Sequence, residues 1–440
     1  MSKAKIVCSN SLLKSFYSLL DRVGQVRKDF SSQNIIIVPD KFSMNAEKLL
    51  FERLQIESSF NVEIMSLTRL VKRLCDGKLG EMELLNSQSG QMLVSKILLD
   101  NYQKLGLIKN TLTSTLSENF YNTILQLKTS GISPNEVSTK SNNLNLCLKL
   151  EDIKFVYSEY EKLSKNMFDS ASLLEKFNEI ILKSNFFADK NIFVGMFETF
   201  SYVQMQSLCK IAKQSKNFTI GLSANTVQSN KHIYLNETLQ SFMQSLRQNG
   251  VDYEIENIIV PISTQNEFLA KNLFALGNVK PAICQNNYML LEAENNKAEV
   301  DYVARKIKQL RLEKNIPFDK INIACTNFDS YKSIFTQVFN EYNLPYYFDY
   351  QSSLKEHILG RFLINLFYCF NTAFFEDYLF DVLKSPFLKK NILEIEKFEN
   401  YYKKCGIKNK MVLNSFIDDE FETIRQSLMQ ELTALYSKFE

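Results

Sequence analysis

The chain repeats one pattern that restricts its fold: a short apolar run, then polar residues, then an apolar period typical of a helix. Runs of this kind are typical of buried strands, and their alternation with helices predicts an α/β fold with a parallel sheet. A further short strand is expected after Pro345. The runs lie at residues 6–7, 35–38, 62–65, 192–194, 218–222, 288–291 and 321–324.

Two parts of the sequence lack this alternation and have helical patterns throughout. Residues 79–185 are expected to form a helical insertion, which divides the first α/β domain into residues 1–78 and 186–280. A second α/β domain is expected to begin within residues 281–352. Residues 353–440 are rich in aromatic side chains and are expected to be a truncated helical insertion of that second domain.

Charge and residue types argue against several classes of function. The net charge is +3, with 52 basic and 49 acidic side chains, so a nucleic-acid surface must be a local groove. The eight cysteines form no C-x-x-C pair and the two histidines are isolated, which disfavours a metal cluster or a nucleophilic triad.

No apolar run approaches the ~18 residues of a membrane span. Scattered thiols fit a reducing compartment, so we predict a cytoplasmic protein without a metal site or membrane contact.

The N-terminal stretch KAKIVCSNSLLKSFYSLL has the layout of a phosphate-binding strand, loop and helix. Lys14 and Ser15 stand at the lysine and hydroxyl positions of the G-x-x-x-x-G-K-[ST] motif. Cys8 and Leu13 occupy its glycine positions, although a phosphate loop needs glycine for positive φ angles and close phosphate approach. We predict a degenerate nucleotide site. The alternative is an ordinary strand, turn and helix with a surface lysine.

A nucleotide hydrolase also needs an aspartate, usually beside a glutamate, at the end of a buried strand to hold magnesium and activate water. The best candidate is the run at residues 192–194. It is followed by Gly195 and Met196, and the next carboxylate belongs to Glu198. A single displaced carboxylate cannot both hold the metal and orient the water. We therefore expect a structural strand end here.

Side chains suited to DNA contacts follow three of the predicted strands. A lysine and a serine follow the second run, an arginine and a lysine follow the third, and two phenylalanines follow the fourth. The polar groups suit phosphate contacts and the rings suit base stacking in a single-strand groove. A solvated helix face and core packing are the respective alternatives. The candidate DNA-binding residues are Lys41, Ser43, Arg69, Lys72, Phe197 and Phe200.

Four stretches, taken in order, resemble the AddB subunit of bacterial AddAB helicase–nucleases. They are VPDKFSMNAEKLLFERL, VEIMSLTRLVKRL, NIFVGMFETFSYVQMQSL and INIACTNFDSYKSIFTQVFNEYNLPYYFD. The similarity extends over most of the chain and is clearest in residues 36–75 and 294–362. It implies a P-loop NTPase fold of the superfamily-1 helicase type, with RecA-like domains and helical insertions.

The resemblance also implies partners and cofactors. AddB subunits pair with an AddA motor–nuclease subunit, hold single-stranded and duplex-end DNA during double-strand break repair and recombination, and in many members recognise Chi. Longer members carry ATP with magnesium, an iron–sulfur cluster and a C-terminal nuclease, none of which is expected within this chain. Other members have aromatic residues at the positions of Leu67 and Lys72. Phosphate contacts by Arg69 and Lys72 are therefore expected here, whereas base stacking at this segment is not.

We predict a catalytically degenerate, DNA-binding subunit of an AddAB-type helicase–nuclease. Two alternatives stay open. An active ATP-dependent helicase or exonuclease subunit would show DNA-stimulated ATP hydrolysis by this chain alone. A scaffold that docks a partner without contacting DNA would lack salt-sensitive DNA affinity.

Overall fold

The computed structural model divides the chain into two compact units, Met1–Asn287 and Tyr288–Glu440. Helices predominate in both units, and the strands of the described residues all belong to the first. The structure describes residues 4–76, 83–106, 114–224, 233–258, 288–350 and 353–439, together with residues 266, 268, 269 and 272.

A six-stranded parallel sheet forms the centre of the first unit. The strands of this unit are β1 (Ala4–Ser9), β2 (Gln33–Val38), β3 (Val62–Ser66), β4 (Glu83–Leu84), β5 (Met167–Phe168), β6 (Lys190–Val194), β7 (Asn217–Ser223) and β8 (Tyr253–Ile258). The large sheet has the order β3-β2-β6-β7-β1-β8, and every neighbouring pair is parallel. Ile35 and Ile37 belong to one apolar cluster, whereas Ile36 and Val38 belong to another. This burial on both faces explains the continuous apolar runs in the sequence.

Helices cover both faces of this sheet. The helices of the first unit are α1 (Leu12–Val26), α2 (Ser43–Leu54), α3 (Leu67–Cys75), α4 (Ser87–Asn101), α5 (Ser114–Thr129), α6 (Leu144–Leu163), α7 (Ser170–Lys183), α8 (Tyr202–Gln214) and α9 (Ile233–Gln248). Apolar residues of α1 and α2 pack on one face, around Phe16 and Leu50. Those of α3, α7, α8 and α9 pack on the other, around Leu70, Phe177 and Phe242. The result is a three-layer α/β unit, which confirms the predicted α/β class with a parallel sheet.

The α4–α6 helices share a separate apolar core, centred on Ile124, Val156 and Tyr160. The short parallel pair β4–β5 also belongs to this part of the chain. In the described residues of 79–185, helices therefore predominate, and this pair supplies the only strands.

A buried ion cluster joins α5, α6 and the start of α7. The Lys128 ammonium, only 3% exposed, donates to Asp169 at 2.9 Å, to Glu161 at 2.7 Å and to the Ser172 hydroxyl at 2.6 Å. The Tyr160 hydroxyl also donates to Asp169, at 3.0 Å. Burial alone would raise the pKa of Asp169, but the Lys128 ammonium and the hydrogen bonds to the carboxylate outweigh it, and that pKa lies below its ordinary value. Burial alone would likewise lower the pKa of Lys128, but the two carboxylates hold it above its ordinary value.

The second unit contains two apolar cores. Its helices are α10 (Asn296–Lys314), α11 (Phe328–Glu341), α12 (Ile358–Asn371), α13 (Glu376–Leu383), α14 (Ile392–Lys404) and α15 (Asp419–Phe439). Val300 of α10 packs with Phe335 and Phe339 of α11 in one core. The second core joins α12 to α15 and includes Phe398 and Leu432. Within the described parts of both units, no helix has the length and apolar content to cross a membrane.

Five of the seven apolar runs form strands, and two do not. Residues 288–291 and 321–324 are described, and they belong to no helix or strand, so their prediction as strands was wrong. A strand is defined by hydrogen bonds to a neighbour, and neither segment has one among the described residues. The short strand expected after Pro345 is absent for the same reason. Conversely, β8 forms at the sheet edge although its sequence, YEIENI, lacks a continuous apolar run.

We expect Lys128→Met to lower the free energy of unfolding by about 3–5 kcal/mol at neutral pH, because it leaves the Asp169 carboxylate buried without its cation. The depressed pKa of Asp169 stabilises the wild type above the unfolded-state value of about 3.9, and this contribution is lost as the pH falls through the folded-state value. In the variant the carboxyl can take up a proton at higher pH, so the difference between the proteins should shrink on acidification. Urea unfolding at several pH values measures this difference.

The control is Lys162→Met, which removes an exposed lysine paired with Glu159. It should change stability by no more than about 1 kcal/mol. A Lys128→Met penalty that is small, or that stays constant as the pH falls, would contradict the buried-charge explanation.

Candidate functional site

The carboxyl ends of β3, β2 and β6 lie side by side and bring most of the predicted site residues to one edge of the sheet. In the strand register, Val38 pairs with Ser66 and Ile37 pairs with Val194, so the three strands end at about the same level. In α/β proteins, ligands bind outside the carboxyl ends of the strands. We call the segments that follow these three strands, residues 39–43, 67–72 and 195–200, the carboxyl edge.

Helix α3 presents its charged face at this edge because its other face is fully used in packing. The buried Ser66 caps the helix by accepting a hydrogen bond from the Arg69 amide at 3.2 Å. Leu70 and Leu74 are buried in the core. Arg69 and Lys72 are consequently exposed on the opposite face.

The cations of α3 and of the carboxyl edge differ in their partners. Arg73 is bound to the Glu63 carboxylate, and this hydrogen bond raises the pKa of the guanidinium. Lys41, Arg69 and Lys72 are exposed and pair with no carboxylate among the described residues. These three side chains can contact a bound phosphate without first breaking an ion pair.

The turn after β2 is held by polar contacts. The Ser43 hydroxyl donates to the Asp40 carbonyl oxygen at 2.8 Å at the start of α2. The Thr68 hydroxyl donates to the Asp40 carboxylate at 3.0 Å, which ties this turn to the first turn of α3. Phe42 anchors the turn on α1, with its ring 5.6 Å from that of Phe16. The turn therefore places the exposed Lys41 in the segment that is bonded to the start of α3.

The two phenylalanines after β6 contact the protein core. Phe197 and Phe200 lie with ring centroids 4.9 Å apart and an interplanar angle of 32°. Phe200 also approaches the buried Phe242 at 6.2 Å. Both rings are partly buried, so core packing accounts for much of their surface. Their role in DNA binding stays a prediction.

The strand–turn–helix around Lys14 and Ser15 has a very short turn. Strand β1 extends to Ser9 and α1 begins at Leu12, so only two residues separate them. The Ser11 hydroxyl caps α1 by accepting from the Lys14 amide at 3.4 Å. Ser15 is fully buried, and its hydroxyl donates to the Leu12 carbonyl oxygen at 2.7 Å. The serine hydroxyl is thus already used inside the helix.

Helix α1 also occupies the space beside Gly195. A Cβ atom at this position would lie 2.7 Å from Cδ2 of Phe16 and 2.9 Å from Cδ1 of Leu19. Any larger side chain therefore needs the side chains of Phe16 and Leu19 to shift. Glu198, the next carboxylate, is exposed, and no cluster of three His, Cys, Asp or Glu residues suited to a metal occurs in the described part of the chain.

Two features of this edge were missed at the sequence level. Ser66 precedes the apolar period of α3 and is a recognisable helix cap, a signal that would have placed the helix start. The bond between Thr68 and Asp40 joins residues 28 positions apart, and no local pattern predicts it.

A family model described as "ADDB, N-terminal" matches residues 14–276, which is more than half of the chain. The chain belongs to the AddB family. This confirms the resemblance found in the sequence, and the match includes all the candidate residues of the carboxyl edge.

Curated relatives of this AddB-family chain are named as the B-type subunit of an ATP-dependent helicase/deoxyribonuclease. The protein of Clostridium perfringens is 24% identical over 445 residues, which cover 93% of this chain and 38% of the relative. Those of Clostridium botulinum and Clostridium kluyveri are also 24% identical, and the alignments cover 90% and 91% of this chain and 36% and 37% of the relatives. The chain thus spans less than two fifths of the length of these relatives.

We expect Gly195→Ala to lower the free energy of unfolding by about 1–3 kcal/mol, because the added methyl group overlaps Phe16 and Leu19. Urea unfolding measures the loss. In a Phe16→Ala background the same glycine change should cost less, since the ring that it meets is gone. Equal costs in the two backgrounds would show that the close approach of α1 is not the reason for glycine at this position.

Proposed function

We propose that this chain is a helicase-like part of the AddB subunit in an AddAB-type helicase–nuclease, where it holds DNA during double-strand break repair and recombination. The observation that carries the proposal is the set of exposed cations without a carboxylate partner among the described residues, Lys41, Arg69 and Lys72, at the ends of adjacent parallel strands. Phosphate groups are the natural ligands for such exposed cations. Ser43 adds a hydroxyl group at the same edge, and Phe197 and Phe200 border it.

The proposed fold is that of a P-loop NTPase of the superfamily-1 helicase type, with a RecA-like first domain. Support comes from the family membership and from the parallel sheet with helices on both faces. The proposed limits are residues 1–78 and 186–280 for the first RecA-like domain, with a helical insertion at 79–185. The second domain is proposed to begin within residues 281–352 and to have a helical insertion at 353–440.

We infer that the chain has a degenerate nucleotide site and does not hydrolyse ATP. The two-residue turn before α1, the internally bonded Ser15 hydroxyl and the filled space beside Gly195 support this inference. ATP-driven translocation would then come from an AddA-like partner in the cytoplasm, since the relatives are named as one subunit of a helicase/deoxyribonuclease. No cofactor is proposed within this chain.

Lys14→Ala should leave both DNA affinity and the ATPase rate of the assembled complex nearly unchanged, because the proposed nucleotide site no longer works. Equilibrium binding and steady-state ATP hydrolysis measure the two quantities. A tenfold loss in either one, equivalent to about 1.4 kcal/mol, would instead favour an active ATP-dependent helicase subunit.

The DNA proposal predicts salt-sensitive binding of a labelled single-stranded oligonucleotide. Each phosphate contact on single-stranded DNA contributes about 0.7 to the slope of log affinity against log salt. Arg69→Ala/Lys72→Ala should therefore weaken binding and reduce that slope by about 1.4. Fluorescence anisotropy across a salt series measures both effects.

Arg73→Ala is the matched control, since it removes a cation of the same helix that is already paired with Glu63. It should leave the slope nearly unchanged. If the wild type binds no DNA at low salt, the partner-docking scaffold replaces the DNA proposal. If all three proteins give the same slope, DNA binds elsewhere on the chain.

A further inference from the structure

Tyr202 carries an exposed aromatic ring at the start of α8, just beyond the carboxyl-edge segment 195–200. The residue is 49% exposed. A capping box holds the backbone around it. The Ser201 hydroxyl accepts a hydrogen bond from the Gln204 amide at 3.3 Å, and the Gln204 side chain accepts one from the Ser201 amide at 3.0 Å. Tyr202 therefore has a defined place at this edge, although about half of it is open to solvent.

The Tyr202 ring differs from the two phenylalanine rings of the carboxyl edge. Phe197 and Phe200 lie 4.9 Å apart, and Phe200 also approaches the ring of Phe242. Within the described part of the chain, Tyr202 contacts no other aromatic ring, and its hydroxyl has no hydrogen-bond partner. Nucleobases stack on aromatic side chains in single-strand sites. An exposed ring that no other ring covers suits such a contact better than rings that pack on one another.

The end of α5 supports one edge of the Tyr202 ring. A Cβ atom on Gly131 would lie 2.6 Å from Cδ1 and 2.7 Å from Cε1 of this ring, so the ring lies directly against the glycine backbone. Gly131 has a φ of 74°, and its amide donates to the Lys128 carbonyl oxygen at 2.9 Å. Glycine meets both requirements at this position, the positive φ and the close approach.

The turn that contacts Tyr202 is anchored to its own helix and to α6. The Ile132 amide donates to the Leu127 carbonyl oxygen at 2.9 Å, and the Tyr157 hydroxyl donates to the Ile132 carbonyl oxygen at 3.1 Å. Close by on α5, the Lys128 ammonium is bound in the buried ion cluster. A side chain that is already restricted loses less conformational entropy on binding. The anchored turn therefore prepares the ring for a stacking contact.

Helices α3 and α8 place the exposed cations and the ring on the same side of the sheet. Leu67, at the start of α3, and Val203, at the start of α8, are buried in the same apolar core. The strands that precede these helices, β3 and β6, are separated by β2 alone, so they lie about 10 Å apart. A single strand along this edge can therefore contact Arg69 and Lys72 through its phosphates and Tyr202 through a base.

We propose that Tyr202 stacks against a base of single-stranded DNA whose phosphates contact Arg69 and Lys72. This role rests on the proposed DNA-holding function. It gives Tyr202 a contact that the sequence prediction assigned to Phe197 and Phe200. Every base has an aromatic face, so the contact requires a base but no particular base.

Fluorescence anisotropy with a labelled single-stranded oligonucleotide of mixed sequence tests the proposal. Tyr202→Ala should weaken binding by at least about fivefold. It should leave the slope of log affinity against log salt unchanged, because the ring neutralises no phosphate. Tyr202→Phe keeps the ring and should bind nearly as the wild type does. Phe60→Ala is the matched control, since it removes a 96% exposed ring that precedes β3 at the opposite end of the sheet. It should leave the affinity unchanged.

A second probe separates stacking from a structural effect of the substitution. It is an oligonucleotide of the same length in which every nucleotide is abasic, so that its phosphates remain and its bases are gone. Tyr202→Ala and the wild type should bind this probe with equal affinity. Urea unfolding of both proteins shows whether the variant retains its fold.

A loss in Tyr202→Ala that is confined to the strand with bases, at an unchanged salt slope, would support the proposal. Equal losses on both probes would overturn it, because the residue would then act through the fold. An unchanged affinity in Tyr202→Ala would also overturn it. If Arg69→Ala/Lys72→Ala still lowered the salt slope in that case, the DNA-holding function would stand without the stacking contact. A wild type that binds no DNA at low salt would overturn both.

Discussion

The close approach of α1 to the sheet is the contact on which the first unit depends. Phe16 and Leu19 lie against the backbone of Gly195, and Ser15 lies 3.1 Å from the place where a Cβ of Gly221 would stand. Glycine in both places lets the helix descend until Phe16 and Leu19 are fully buried. This packing lies at the carboxyl edge, where a helicase motor would need an open phosphate loop and a carboxylate for magnesium. Dense packing here therefore agrees with a DNA-holding role that requires no ATP hydrolysis by this chain.

The cations of α3 and of the carboxyl edge contribute little to stability. An exposed ion pair such as Arg73 with Glu63 contributes only about 0–1 kcal/mol to folding, but it makes the guanidinium less available to a phosphate. Lys41, Arg69 and Lys72 carry no such competitor among the described residues. The Asp40 carboxylate at this edge accepts a hydrogen bond from Thr68. Lys41, Arg69 and Lys72 outnumber the two carboxylates of this edge, Asp40 and Glu198, so the edge has a net positive charge although the whole chain is nearly neutral.

Periodicity in the sequence predicted the buried strands and the fold class but not the contacts between distant segments. Strand β8 was missed because Glu254 and Glu256 interrupt its apolar residues, and these carboxylates pair with Lys5 at the sheet edge. The buried Lys128 was missed because its partner Asp169 is 41 positions away. The cationic edge was predicted from residue types, since parallel strands must end at one side of a sheet. Whether each cation pairs with a carboxylate depends on tertiary contacts, so residue types alone could not predict it.

The two units are built on different frameworks. In the first, β2, β6, β7 and β1 each have a neighbour on both sides, so their polar groups are bonded within the protein. In the second, the described residues form no sheet, and apolar side chains of neighbouring helices make its two cores, around Phe335 and around Phe398. A parallel sheet therefore organises the first unit, whereas helix packing organises the second.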